Sequence, residues 1–345
     1  MQSILEREIF EQPEKIRGFL DREEENARRI TNTLRGKFSY IVIAARGTSD
    51  NAARYAQYLY GLQHNTQVAL ATPSLFTMYG AAPEMKDALV VGISQSGQSP
   101  DIVAVLAEGK KQGRPTLAIT NDADSPLART AEFVLPLNAG GEKAVAATKT
   151  YTTSLAALAL LSVSLDEDQQ RMDALRSVPD HMQCTLEGLQ EALKRVERYR
   201  YMEQCAVIGR GLNYATAFEV ALKVKELSQT VAEPYSSADF RHGPIATARP
   251  GFPVIVIAPS GAVAHDIHAL IDDLRRRKAE LLVISDDPKA LEAAELALPF
   301  SSGLPEWLTP LVAVVPGQRF AMQLTIEKGK NPDQPEGITK VTETL

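Results

Sequence analysis

Parts of this chain recur at a spacing of about 164 residues. Ile43-Ala44-Ala45-Arg46-Gly47 is matched by Val207-Ile208-Gly209-Arg210-Gly211, and Ser96-Gly97 with Asp101-Ile102 by Ser260-Gly261 with Asp266-Ile267. A repeat of that length spans a whole domain rather than a solenoid unit, so it points to a duplicated α/β subdomain. Within each copy, short apolar runs alternate with helical stretches. Tyr40 to Ala45, Gln67 to Leu70, Ala88 to Ile93, Pro115 to Thr120 and Phe133 to Leu137 read as strands. So do Gln204 to Ile208, Pro253 to Ala258 and Glu280 to Ile284. Asp50 to Leu62, Asp101 to Gln112, Thr148 to Leu165, Ala215 to Gln229 and Asp266 to Lys278 read as helices. This rhythm predicts parallel sheets covered by helices on both faces.

The apolar run Ala88–Ile93 ends in Ser94-Gln95-Ser96-Gly97-Gln98-Ser99. A strand running through hydroxyls and a glycine into a helix start offers backbone N–H groups and O–H donors to an anion. It holds no Lys, so it is not a Walker A loop, and it lacks the Gly-x-Gly-x-x-Gly pattern. A small phosphomonoester suits it; a polar turn with an N-cap serine is the structural alternative. The second copy reads Ala258, Pro259, Ser260 and Ala262, with a proline that removes an N–H and two hydroxyls lost. Only the first copy is expected to hold phosphate, leaving the second to supply chemistry.

The composition narrows the partners. The chain has 345 residues, 44% hydrophobic and 23% charged, with a net charge of −6. A globular protein without a basic surface is not expected to bind nucleic acid. Cys184 and Cys205 form neither a CxxC nor a metal-ligand spacing, which fits a reducing cytoplasm. The charged N-terminus has no apolar core of a signal peptide, and no stretch reaches the about 18 apolar residues of a membrane span.

Three further places bear ionisable groups. Lys223 and Glu226 share one face of the helix that also carries Val220, Leu222, Val224 and Leu227. They read either as an acid/base pair beside the core or as an exposed ion pair. His242, before Gly243-Pro244, sits on a turn and is either a proton carrier or a structural turn residue. Lys340 lies in the polar stretch Asn331 to Val341, which reads as a disordered tail unless it folds over a pocket.

In order along the chain, Arg46-Gly47-Thr48-Ser49, Ser94-Gln95-Ser96-Gly97, Val145-Ala146-Ala147-Thr148-Lys149, Lys223 with Glu226, Arg241-His242-Gly243-Pro244, and Asp333-Gln334-Pro335 with Lys340 resemble the double sugar-isomerase (SIS) family. The family includes the isomerase half of glucosamine-6-phosphate synthase. The resemblance covers roughly residues 35–345. It implies two tandem flavodoxin-like αβα subdomains, usually in a dimer. The organisation it suggests is a helical segment over 1–35, a phosphate-binding subdomain over 36–165, a helical linker over 166–199, a catalytic subdomain over 200–330 and a closing tail over 331–345.

By the same resemblance, Ser94, Gln95, Ser96 and Ser99 hold phosphate, with Gly47, Thr48 and Ser49 close by, and Val145 and Ala147 line the sugar through their backbone. Glu226 moves the proton between C1 and C2, and Lys223 serves the adjacent oxygens. His242 opens the ring of a substrate held by the partner subunit, and Lys340 engages the open-chain carbonyl. No metal or organic cofactor is implied.

The chain also departs from the synthase. The synthase carries a glutaminase domain with a terminal Cys nucleophile, whereas about 35 residues stand here with Gln2 after Met1, so no glutamine hydrolysis is expected. Gln98 replaces an acidic residue, Ser99 a threonine and Ala147 a serine. Arg-Gly-Thr-Ser-Asp-Asn and Ser-Gln-Ser-Gly-Gln-Ser-Pro-Asp instead resemble the stand-alone type II glucosamine-6-phosphate deaminases. The expectation is therefore a cytoplasmic enzyme that converts an amino-sugar phosphate to fructose 6-phosphate and ammonia. The alternatives are a fructosamine-6-phosphate deglycase, an isomerase supplied with ammonia from elsewhere, and a non-catalytic sugar-phosphate sensor.

Overall fold

The computed structural model describes residues 3–340, so Met1, Gln2 and residues 341–345 of the C-terminal tail lie outside the described residues. Among the described residues, ten strands form two sheets. The first holds β1 (Tyr40–Ala44), β2 (Gln67–Leu70), β3 (Ala88–Ser94), β4 (Thr116–Thr120) and β5 (Phe133–Pro136) in the order β2-β1-β3-β4-β5. The second holds β6 (Gln204–Gly209), β7 (Val231–Ser236), β8 (Pro253–Ala258), β9 (Glu280–Ser285) and β10 (Leu296–Pro299) in the order β7-β6-β8-β9-β10. Neighbouring strands are parallel throughout. The expected duplication is thus present in topology as well as in sequence.

The sequence chemistry explains the strands. All of Ala-Leu-Val-Val-Gly-Ile-Ser in β3 is buried, as a central parallel strand covered on both faces requires. β2 is an edge strand with exposed residues. β7 and β10 were not evident from pattern. Pro234 interrupts β7, which a strand tolerates only at an edge, where β7 lies.

Two helical expectations need adjustment, and one further helix was not evident from pattern. The first helix begins at Gly47 and runs to His64, which brings Thr48 and Ser49 into its first turn. The charged stretch 167–199 is not one helix but Gln169–Gly188, Gln190–Leu193 and a 3-10 turn at Val196–Tyr199. The helix Thr309–Glu327 carries no amphipathic signal because it is buried along nearly its whole length, Thr309 to Met322 without a break.

The chain divides into two compact units. One comprises Glu14–Glu142, Lys149–Arg176 and Thr339–Leu345 and carries the first sheet; the other comprises Met1–Pro13, Lys143–Thr148 and Ser177–Ile338 and carries the second. The contiguous boundaries suggested by sequence do not coincide with these units, and the reason is side-chain bonding within the second one. There Ser3 caps the Ile4–Phe10 helix, and the Asp333 carboxylate also accepts from the amides of Ile4 (3.0 Å) and Leu5 (2.8 Å). Arg319 pairs with Glu6 at 2.8 Å, and Glu8 accepts from the amides of Lys143 and Ala144.

In each sheet the first and third strands are neighbours, so the connections leave them toward opposite sides and open a crevice at their carboxyl ends. In the first unit that crevice is bounded by the chain after β1, at Arg46-Gly47, and by the serine loop after β3. In the second it is bounded by Arg210-Gly211 and by Pro259-Ser260.

Candidate active site

The serine loop follows β3 and leads into the helix Pro100–Lys111, with Ser99 at its N-cap position in extended backbone. The amide of Gly97 donates to Ser94 Oγ at 3.1 Å and that of Gln98 to Ser96 Oγ at 3.3 Å. A hydroxyl that accepts from an amide keeps its own O–H free to donate, so the loop still offers donors to an anion. Gly97 has φ +63°, and a Cβ there would fall 2.1 Å from Ser125 Oγ, so glycine alone fits the bend. Beside the loop, Arg46 donates through Nε to the fully buried Asp101 at 2.8 Å, and Asp101 also accepts from the amide of Ile102. Arg46 thereby ties the start of the Gly47–His64 helix, with Thr48 and Ser49, to the helix that follows the loop.

The corresponding loop of the second unit is closed by carboxylates. Ser260 N–H donates to Asp286 Oδ1 and Ala262 N–H to Glu306 Oε2, each at 2.7 Å. A carboxylate has no proton to offer onward and repels an anion. The expected asymmetry between the copies therefore has a physical basis beyond the lost hydroxyls.

Lys223 and Glu226 lie on the helix Tyr214–Ser228 of the second unit. Lys223 is 1% exposed, its Nζ lies 2.5 Å from Glu226 Oε2 and 3.5 Å from Glu219 Oε1, and Glu226 is 26% exposed. The exposed ion pair is excluded: the lysine is inside the protein and only Glu226 reaches the surface. Gly317 of the Thr309–Glu327 helix lets the two helices approach, since a Cβ there would lie 2.2 Å from Val220 Cγ2. In the same unit Val145 and Ala147 are partly exposed, on the segment whose preceding amides Glu8 holds.

His242 is exposed and follows the short helix Ser237–Arg241, its amide bonded to Asp239 O. Arg241 fixes this turn through Asp266, with Nη1 to Oδ1 at 2.7 Å and Nη2 to the carbonyl at 2.9 Å. Burial pushes the Asp266 carboxyl up, but hydrogen bonds from Ser237 and Arg241 outweigh it and hold the group below the usual carboxylate range.

Lys340 belongs to the first unit. Its Nζ lies 2.9 Å from Glu142 Oε2, and Glu142 also accepts from Thr150 N and Oγ1. Sequence reading missed Glu142 and Glu219, along with Glu8, Arg46 with Asp101, and Glu306. Glu219 stands one helical turn before Lys223, a spacing visible in the sequence; the others meet their partners only through the fold. Among the described residues no cluster of His, Cys, Asp and Glu suits a metal ion, and no helix is long and apolar enough to cross a membrane.

Comparison with known proteins places this architecture. The SIS domain model matches residues 37–164 and 201–295, one segment in each copy of the repeat. The glutamine–fructose-6-phosphate aminotransferase (isomerizing) of Thermococcus kodakarensis is 32% identical over 97% of this chain and 57% of its own length. Its counterpart from Aquifex aeolicus is also 32% identical, over 97% and 56%. The chain thus spans a little over half the length of these relatives. The C-terminal domain of glucosamine-fructose-6-phosphate aminotransferase from Francisella tularensis superimposes with a TM-score of 0.88 at 27% identity, over 97% of this chain and 99% of that one. Two matched segments on two sheets of one topology, and relatives aligned over nearly the whole chain, identify it as a member of the SIS domain family.

Proposed function

We propose that this protein is a phosphosugar isomerase that deaminates a hexosamine 6-phosphate, giving fructose 6-phosphate and ammonia. The observation that carries the reading is the buried Lys223 between Glu219 and Glu226, with Glu226 alone reaching the surface. A carboxylate fixed on one side by an ammonium and open on the other is built to exchange a proton with something that arrives from outside. A sensor of sugar phosphates needs the serine loop and has no use for this arrangement.

In this reading Ser94, Gln95, Ser96 and Ser99 hold the phosphate, with Gly47, Thr48 and Ser49 beside them, and Val145 and Ala147 contact the sugar through their backbone. Binding the remote phosphate fixes the open chain for reaction at C1 and C2. His242, supplied to the site of a second copy in a homodimer, opens the ring. Glu226 takes the proton from C2 and returns it to C1, Lys223 attends the adjacent oxygens, and Lys340 meets the carbonyl. The product is a 2-imino ketose, and water then replaces the imine nitrogen and releases ammonia.

A second reading runs the same chemistry toward amination, with ammonia supplied from elsewhere. The naming of the relatives favours it, since those proteins are isomerizing aminotransferases. The experiment is to incubate the protein with glucosamine 6-phosphate and measure ammonia and fructose 6-phosphate. Fructose 6-phosphate with ammonia or with glutamine, and fructosamine 6-phosphates, serve as parallel substrates. Ammonia release from glucosamine 6-phosphate, with none from unphosphorylated glucosamine, is the expected result. Product only from fructose 6-phosphate plus ammonia would select the second reading, and release only from fructosamine 6-phosphates would replace both.

A further inference from the structure

We infer that Glu142 is the positioning residue for Lys340. The inference rests on the reading above, in which Lys340 meets the sugar carbonyl. Glu142 precedes the helix Lys149–Asp166, and its side chain is 0% exposed. A carboxylate buried to that degree must be met by donors or by positive charge. It has both. Oε1 accepts from the amide of Thr150 at 3.2 Å, and Oε2 accepts from Thr150 Oγ1 at 2.8 Å and from Lys340 Nζ at 2.9 Å.

The first two bonds come from the opening turn of an 18-residue helix, where N–H groups lack intrahelical partners and the helix end favours an anion. They fix the plane and the place of the carboxylate on a rigid element. The third bond is to Lys340. Lys340 belongs to a polar, loop-like stretch, and its side chain is 23% exposed. A lysine on such a stretch has four rotatable bonds and no defined position of its own. Here the buried carboxylate supplies one. The bond joins two oppositely charged groups, a stronger class of hydrogen bond than a neutral pair, so it holds the amine in place firmly.

Glu142 therefore does two things through one group. It caps the helix, which is structural, and it fixes the position of Lys340, which is functional. The experiment separates them. Trypsin cleavage after Lys340, followed by mass spectrometry on the full chain, reads the tethering without reference to any reaction. Glu142→Gln keeps an oxygen for Thr150 and removes the charge, and cleavage should accelerate by about tenfold or more, the low end for a charged hydrogen bond. Glu142→Asp keeps the charge at the helix start but withdraws it from Lys340. It should also accelerate cleavage, and it serves as the readout if the glutamine variant fails to fold. Cleavage as slow as in the unaltered protein overturns the inference.

The second readout is a double-mutant cycle on hexosamine-phosphate turnover. Glu142→Gln should lower kcat with KM little changed, and should cost no more than about twofold further when Lys340 is already methionine. An equal cost in both backgrounds would make Glu142 a helix cap only. If no phosphosugar is turned over by the unaltered protein, the functional reading fails, while the cleavage assay still decides whether Glu142 holds Lys340.

Discussion

Lys223 Nζ lies 2.5 Å from Glu226 Oε2 across one turn of the same helix, with the lysine buried and the glutamate at the surface. The pair is held from below by Glu219, also fully buried, so the ammonium has a carboxylate on each side. Removing one partner of a buried ion pair leaves a charge without compensation, which is why such groups do not persist by chance. Of the three ionisable groups, only Glu226 reaches the surface.

Replacing that residue tests the chemistry. Glu226→Gln keeps the shape and the bond to Lys223 but removes the base. Turnover should fall by about 10²–10⁴, the usual contribution of a general base. Binding of the phosphosugar, measured by calorimetry, should survive. Deuterium at C2 should slow the unaltered enzyme wherever proton transfer limits the rate. Mixing Glu226→Gln with an inactive His242→Asn protein should restore activity if His242 serves the neighbouring chain. Near-normal turnover by Glu226→Gln would leave the helix with an ion pair and no reaction, and would restore the sensor reading.

The serine loop should bind phosphate and its counterpart should not. Ser96→Ala removes a hydroxyl that accepts from Gln98 N–H and retains a proton to give. It should weaken phosphosugar binding by about 1–3 kcal/mol. Titration should find a single phosphate site per chain, because the amides of Ser260 and Ala262 are already held by Asp286 and Glu306. Binding unaffected by Ser96→Ala, or a second equivalent site, would place the anion elsewhere.

Packing of the Tyr214–Ser228 helix depends on the absence of a side chain at Gly317. A Cβ there would lie 2.2 Å from Val220 Cγ2. Gly317→Ala should destabilise the protein by about 1–3 kcal/mol, as overpacking of a core does. Val220→Ala introduced alongside should recover part of that loss. Thermal unfolding of the single and double variants checks both, and additive losses would count against the contact.

Stability should depend on pH through His64. Its side chain is 9% exposed, with Nε2 2.8 Å from Ser162 Oγ and Nδ1 3.3 Å from Asp166. Burial pushes its pKa down, and the nearby Arg171 adds to this, outweighing the pull of Asp166 upward. Above the ordinary histidine value of about 6.5, neither the folded nor the unfolded chain protonates it and its contribution is constant. Below that value the unfolded chain takes up a proton that the folded chain resists, so stability falls as pH falls until the lowered value is passed. His64→Gln should reduce the difference in melting temperature between pH about 7.5 and about 5.5. An unchanged difference would assign the acid sensitivity to other groups.

Much of this was written in local pattern. The 164-residue repeat and the alternation of apolar runs with helices determined two parallel α/β units, because strand and helix periodicities are properties of neighbouring residues. Ser94 through Ser99 and the spacing of Lys223 and Glu226 were equally legible. The sequence could not say whether Lys223 was buried, since the helix packed against Val220 of the same face, Thr309–Glu327, shows no amphipathic periodicity to reveal which side it packs. Nor could it find β7, whose proline is tolerated only because the strand lies at an edge. The partnership of Glu142 with Lys340, 198 residues apart, was likewise invisible. Burial and long-range pairing follow from which surfaces meet after the chain has collapsed, and only the tertiary structure decides that.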